Sequence, residues 1–210
     1  MIRRGEITLQ EEAVKKSAMV IVLFLCMIIP ISAFAGAPLD SVKVNVDRVL
    51  DVLRDPSLKP ESAKKLKKDK IRAIAKKMFD FAELSKRTLA QNWSRFSPDQ
   101  QKEFINLYHS LLEDAYVDKI MAYTDEKILF IKDIPLTEKT AEVQSTVIKK
   151  TDEIPINYRV ILKDGVWMVY DVVIEGVSLI NNYRSQFREI LANKPPESLL
   201  ETLRKKVGKA

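Results

Sequence analysis

The spacing of apolar residues changes along this chain and sets limits on its fold. Apolar residues recur at every third or fourth position up to Tyr123, and at every second position beyond it. The first period is typical of amphipathic helices and the second of strands with one buried face. The helical period returns after Gly176. The sequence therefore predicts an α+β fold with helices over about 39–123, a sheet over about 126–174 and helices over about 176–207.

Four strands are predicted in the middle section, joined in order as a twisted antiparallel meander. The clearest turn is Asp164-Gly165, a dipeptide that is typical of tight hairpins. The strand after it, residues 166–174, is apolar at nearly every position except Asp171. Such a strand is expected to be covered on both faces.

The longest predicted helix begins at Ser97-Pro98-Asp99-Gln100, which combines an N-cap, a proline at the first helical position and a capping-box glutamine. Its apolar residues cover a wider arc than the ~100° stripe of a surface helix. We therefore predict that this helix packs against two layers or lines a cavity as well as a core.

The amino-terminal segment has the layout of a cleavable secretory signal. Two lysines precede an apolar run of fourteen residues, 18–31, which ends in Ser-Ala-Phe-Ala. This run is shorter than the roughly 20 residues of a membrane-spanning helix. We predict that residues 1–35 are a signal peptide cleaved after Ala35, and that residues 36–210 form a single exported domain.

Composition excludes several kinds of chemistry in the predicted mature protein. The only cysteine, Cys26, lies in the signal, and the glycines never cluster, which rules out thiol chemistry and a glycine-rich phosphate loop. His109 is the only histidine, so we expect no metal site, no catalytic residues and no cofactor. The mature chain carries 31 basic and 26 acidic side chains, a net charge of +5 that does not indicate a nucleic-acid partner.

Two features allow more than one interpretation. Asp171, in an apolar strand, is either the general base of a small cone-shaped enzyme with a lipophilic substrate or a buried group that hydrogen-bonds the next helix start near Ser178. We favour the second. The lysine-rich run over 64–72 is predicted to be a solvated helix face, with a membrane-docking patch as the alternative.

Several segments are similar to those of a known family. They are Tyr170-Asp171-Val172 with Glu175-Gly176-Val177-Ser178, then Asn182-Tyr183-Arg184-Ser185-Gln186-Phe187, and, earlier, Phe79-Asp80-Phe81, Leu89 to Trp93, Ser97 to Gln100 with Phe104, and Tyr116 with Tyr123. Together they resemble the MlaC-like, toluene-tolerance family of periplasmic phospholipid-binding proteins. One departure is Ala90, where the family commonly has glycine.

The resemblance implies a carrier that encloses the acyl chains of a phospholipid in an apolar pocket and leaves the head group outside. It implies exchange of lipid between the outer and inner membranes, with an inner-membrane ABC transporter complex and an outer-membrane lipoprotein complex as partners, and transient membrane contact. It implies no cofactor and no covalent chemistry. The alternative function without chemistry is that of a periplasmic chaperone or a periplasmic lipoprotein carrier.

The lining of such a pocket is expected where the wide helix faces the sheet. The predicted acyl-chain residues are Phe104, Tyr108, Leu111, Leu112, Tyr116, Tyr158, Val160, Trp167, Val169, Val172, Leu179, Tyr183 and Phe187. Arg184, at the edge of an apolar helix face, is the predicted contact for the lipid phosphate, because arginine binds phosphate through paired hydrogen bonds. The alternative for Arg184 is a surface ion pair with Glu189 or another carboxylate.

Overall fold

The computed structural model describes residues 37–123, 126–149 and 152–208, and the predicted signal peptide lies outside these ranges. Four helices come first, with short 3₁₀ segments over Pro56–Leu58, Glu61–Ala63 and Ala90–Arg95. The four helices are α1 (Pro38–Arg54), α2 (Lys64–Met78), α3 (Phe81–Leu89) and α4 (Pro98–Met121). The predicted capping box of α4 is confirmed, because Ser97 and Gln100 each accept a hydrogen bond from the backbone N–H of the other.

The predicted antiparallel meander is confirmed, with strands in the order β1-β2-β3-β4-β5. The strands are β1 (Lys127–Thr137), β2 (Thr140–Lys149), β3 (Asp152–Lys163), β4 (Val166–Ile174) and β5 (Val177–Ser178). The sequence predicted four strands and not β5, because two residues carry no alternation of apolar and polar positions. Helices α5 (Leu179–Leu191) and α6 (Pro196–Val207) complete the fold.

One face of the sheet packs against α1 and α2. The buried residues at this contact, which we call the sheet cluster, are Val42, Val46, Leu50, Leu53, Ile71, Met78, Ala141, Val143, Val160 and Val169. The members in α1 are three or four positions apart, and the two members in β2, Ala141 and Val143, are two positions apart. This cluster therefore follows directly from the two periods in the sequence.

A second cluster lies on the other side of the sheet and is made mainly by helices. The helical cluster consists of Leu84, Leu89, Phe96, Phe104, Tyr108, Leu112, Tyr170, Ile180, Phe187, Leu191, Leu199, Leu200 and Leu203. The wide apolar arc of α4 is buried here against α3, α5 and α6. Only Tyr170 and the half-buried Ile161 bring the sheet into this cluster among the described residues, so α4 meets other helices more than it faces the sheet.

Irregular pairing decides which way several strand residues point. In β4, Asp171 lies opposite Arg159 and Val169 opposite Val160, so Tyr170 is an extra residue between them. This β-bulge puts Tyr170 and Asp171, which are consecutive, on the same face of the sheet, and Tyr170 packs into the helical cluster. Helices contact both faces of β4, as its apolar sequence predicted. The pairing of β1 with β2 is also irregular, since it skips one residue after Phe130 and another after Pro135.

Candidate functional site

A cavity of about 340 Å³ opens between α3, the start of α5 and the sheet face that carries Tyr170. Its lining is rich in charge, although it adjoins the apolar helical cluster. The lining residues are Arg87, Leu136, Glu142, Arg159, Tyr170, Asp171, Ile180, Asn181 and Arg184. Tyr170 and Ile180 belong to both the cavity wall and the helical cluster, so the polar space and the apolar interior meet at these two side chains.

Asp171 forms the floor of the cavity and is almost completely buried. One carboxylate oxygen accepts a hydrogen bond from the backbone N–H of Ile180 at 3.0 Å, and the other accepts from the Ser178 hydroxyl at 2.7 Å. Ser178 in turn caps α5 by accepting from the N–H of Asn181. The interpretation of Asp171 as a buried partner of the next helix start is therefore confirmed.

Arg159 links Asp171 to a polar network on the same sheet face. Its guanidinium donates to Asp171 at 3.2 Å and to Glu142 at 3.2 Å. Glu142 also lies within 3.4 Å of the side-chain amides of Gln144 and Asn157. This part of the sheet is thus polar and half-buried, and it faces the cavity.

Arg87 and Arg184 form the opposite wall. The Arg87 guanidinium lies 4.1 Å from the centre of the Tyr170 ring and donates to Glu83 at 2.7 Å. Arg184 donates to the backbone carbonyl of Arg87 at 2.7 and 3.3 Å and to the Asn181 side chain at 3.0 Å. Among the described residues, these partners of Arg184 do not include Glu189 or another carboxylate.

The thirteen predicted acyl-chain residues divide between the two clusters. Eight lie in or against the helical cluster: Phe104, Tyr108, Leu111, Leu112, Tyr116, Leu179, Tyr183 and Phe187. Five lie in or against the sheet cluster: Tyr158, Val160, Trp167, Val169 and Val172. The structure therefore divides the thirteen residues between two clusters, both of which contact Phe79.

Sequence reasoning missed Arg87 and Arg159 as cavity residues. Arg159 alternates with apolar neighbours, a pattern that predicts an ordinary solvent-facing side chain. Arg87 lies on a short amphipathic helix, and only the fold brings its side chain over Tyr170. A weak signal was present in Asp171, since a buried carboxylate in an apolar strand requires a cationic or hydrogen-bonding partner.

Asp80 marks the other contact between α3 and the sheet. Its side chain caps α3 by accepting from the N–H of Glu83 at 2.9 Å, and it pairs with Lys163 at 2.9 Å. Burial opposes ionisation of this carboxyl, but the hydrogen bonds from Glu83 and Lys163 outweigh that effect and lower its pKa. A second cavity of about 350 Å³ lies beside this pair, next to Phe79 and Phe81.

His109 and the lysine-rich helix α2 make ring-packing and ion-pair contacts. The His109 ring packs on Phe81 at 3.9 Å, and its Nε2 lies 3.3 Å from Glu113. In α2, Lys65 pairs with Asp69 and Lys68 with Asp118, as expected for a solvated face. The portion of the chain that the structure describes contains no group of three or more side chains suited to a metal ion and no helix long and apolar enough to span a membrane.

Two comparisons with known proteins identify the fold and the family. The phospholipid-binding protein of Ralstonia solanacearum, solved in complex with a phospholipid, superposes with a TM-score of 0.74 at 22% sequence identity, covering 83% of this chain and 98% of that one. This likeness shows the fold. The profile of the family described as MlaC protein matches residues 43–205, well over half of the chain. The family resemblance noted in the sequence is thus confirmed, and the protein belongs to the MlaC family.

Proposed function

We propose that the protein is a periplasmic phospholipid carrier that holds acyl chains in its interior and moves lipid between membranes. The observation that carries this proposal is the junction at Tyr170 and Ile180, where a cavity lined by arginines meets a large apolar cluster. A phospholipid has the same division, with an anionic phosphate next to apolar chains. Membership of the MlaC family and the fold shared with a phospholipid-bound protein support the same function.

We assign the acyl chains to the helical cluster. The eight predicted residues in that cluster lie on the cavity side of the sheet, whereas the other five lie behind it. At about 340 Å³, the cavity is near the lower end of the ~300 to 1,000 Å³ range of ligand pockets. The helical cluster must therefore open to admit two chains, with Tyr183 and Phe187 of α5 among the side chains that move.

The energetics of lipid transfer favour a carrier that docks before it exchanges its ligand. Removing ~30 methylenes from water is worth on the order of 20 kcal/mol at ~0.8 kcal/mol each, and a bilayer provides about the same. Almost no phospholipid is therefore free in water, and a carrier must take its ligand directly from a membrane or from a partner in the membrane. An inner-membrane ABC transporter complex and an outer-membrane lipoprotein complex are the partners that we propose for these exchange steps.

The hydrogen bonds of Asp171 favour a carrier over an enzyme. Both carboxylate oxygens accept from protein donors, one from Ile180 and the other from Ser178 and Arg159. A general base must instead reach a substrate proton. Asp171 therefore joins the sheet to α5 and does not act as a base.

Lipid extraction tests the proposal. We expect mature protein from the periplasm to begin near Gly36 and to release diacyl phospholipid into organic solvent, detected by mass spectrometry. Protein that is free of lipid and suppresses the aggregation of unfolded outer-membrane proteins would instead be a chaperone. Loss of lipid transfer to acceptor vesicles in Leu112→Ala, with transfer retained in Leu50→Ala, would support the helical cluster as the acyl-chain site.

A further inference from the structure

We infer that the 340 Å³ cavity is a binding site for a phosphate ester, with Arg87, Arg159 and Arg184 as its donors. The inference rests on the proposed function, because the phosphate of a phospholipid is one source of this group. A free phosphate monoester such as glycerol 3-phosphate carries the same chemistry and is the other source.

The three arginines leave several N–H donors without an acceptor among the described residues. An arginine side chain has five N–H donors. Arg87 uses one of them on Glu83, Arg159 uses two on Glu142 and Asp171, and Arg184 uses three on the Arg87 carbonyl and Asn181. The remaining donors have no acceptor within the described residues. Phosphate oxygens satisfy such donors well, because arginine and phosphate form short, paired, charge-assisted hydrogen bonds.

Cationic side chains outnumber carboxylates in the lining of the cavity. Three guanidinium groups line the cavity against two carboxylates, and both of these carboxylates are bound to Arg159. The wall opposite Arg159 carries Arg87 and Arg184, and among the described residues Glu83 is the only carboxylate paired to either. Two neighbouring cations in a partly enclosed space repel each other, and an anion between them removes that repulsion.

Contacts with neighbouring groups fix the three arginines in place. Arg184 is anchored to the carbonyl near the end of α3, and Arg87 is held over the Tyr170 ring. Arg159 is held from both sides by Glu142 and Asp171. Fixed donors lose less conformational entropy on binding than free surface arginines, so this cluster is suited to a ligand.

The test compares Arg184→Gln with Arg188→Gln, which removes the same charge from an exposed position on the same helix. Delipidated mature protein would be titrated by calorimetry with three probes: dihexanoyl phosphatidylglycerol, dihexanoylglycerol and glycerol 3-phosphate. We expect Arg184→Gln to weaken binding of the phospholipid about tenfold or more, since a hydrogen bond to a charged group contributes ~1.5 to 3 kcal/mol. Binding of the phosphate-free diacylglycerol should not change, and Arg188→Gln should bind all probes as the wild type does.

Arg87→Gln is a second variant, and the same selective loss is expected from it. If wild-type protein binds glycerol 3-phosphate and both variants lose that binding, the site accepts a free phosphate ester. If wild-type protein binds the phospholipid but not glycerol 3-phosphate, the cavity is a subsite for the lipid head group. Equal phospholipid affinity in Arg184→Gln and Arg188→Gln would overturn the inference, and so would an equal loss of diacylglycerol binding. Wild-type protein that binds glycerol 3-phosphate but neither diacyl probe would contradict the carrier function and leave the phosphate site standing.

Discussion

The two apolar clusters differ in the side chains from which they are made. Five of the ten buried residues of the sheet cluster are valines, whereas the helical cluster has no buried valine and is made largely of leucines and aromatic residues. In the helical cluster Tyr108 contacts Phe104 and Phe187 with ring centres 5.3 to 5.4 Å apart. Valine has one stiff side-chain torsion, while leucine and aromatic side chains have two and can swing aside. The sheet cluster is therefore suited to a fixed scaffold and the helical cluster to a compartment that opens.

The sharpest test of this difference is a matched pair of truncations, Leu50→Ala in the sheet cluster and Leu112→Ala in the helical cluster. The two leucines are 8% and 7% exposed, so each change should lower the free energy of unfolding of delipidated protein by about 3 kcal/mol. Only Leu112→Ala should change the amount of phospholipid that co-purifies. Urea unfolding and quantitative lipid mass spectrometry measure the two effects.

The amount of bound lipid in each variant shows which of the two clusters holds the acyl chains. Loss of bound lipid in Leu50→Ala, with normal content in Leu112→Ala, would place the acyl chains on the α1 side of the sheet. The five sheet residues Tyr158, Val160, Trp167, Val169 and Val172 would then be the pocket, and the eight helical ones would be core.

The hydrogen bonds of Asp171 join the sheet to α5, and substitution of Asp171 measures how much they stabilise the fold. Asp171→Ala removes the acceptor of Ser178, Ile180 and Arg159, and we expect the free energy of unfolding to fall by about 2 to 3 kcal/mol. Asp171→Asn, which keeps one acceptor oxygen, is the milder control. An unchanged thermal midpoint in Asp171→Ala together with complete loss of function would instead support a chemical role for the carboxylate.

Asp80 joins α3 to the sheet near the hairpin between β3 and β4. Its contribution to the free energy of unfolding should depend on pH. Its lowered pKa means that the folded state binds fewer protons than the unfolded state in acid. The stabilisation is fully present above the unfolded pKa of about 3.9 and is lost as the pH falls through the lower folded value. We expect Asp80→Ala to cost about 1 to 2 kcal/mol at pH 7, as for the loss of an N-cap, and less as the pH falls below about 4.

The check on Asp80 is the difference between wild-type and variant unfolding free energies, measured from pH 7 to pH 3 in urea. Lys163→Met is a useful companion, because it removes the exposed cation and leaves the cap of α3 in place. A difference between wild type and Asp80→Ala that grows in acid would contradict the direction assigned to this pKa.

The smallest predicted effect is a gain in stability from a substitution at Ala90, the residue that follows α3. Ala90 has a φ of +49°, a conformation that glycine adopts freely and alanine does not. We expect Ala90→Gly to raise the thermal midpoint, with a stabilisation of about 1 kcal/mol after the entropic cost of glycine. Ala73→Gly, at an exposed position inside α2, should lose about the same amount. Destabilisation by both changes would show that Ala90 is not strained.

Periodicity predicted the helices, the meander and the capped start of α4, because each of these depends on residues close together in the sequence. It could not predict which residues share a face after a bulge. Val169 and Val172 are three positions apart and would point to opposite faces of a regular strand, yet both join the sheet cluster because Tyr170 is inserted between them. The arginine-lined cavity was only partly predictable for a similar reason. Arg87, Arg159 and Arg184 lie on three separate elements, and only Arg184 stood out in the sequence.

The irregular pairing of β1 has a consequence for the behaviour of the protein at high concentration. An eleven-residue strand at the open edge of a sheet, with Leu129, Ile131 and Leu136 exposed, is the kind of segment on which a second chain can add a strand and begin to aggregate. The skipped residues after Phe130 and Pro135 break the regular ladder twice within that length. An incoming strand would need the same two interruptions to stay paired. The edge is thereby protected against self-association, while its apolar side chains remain on the surface.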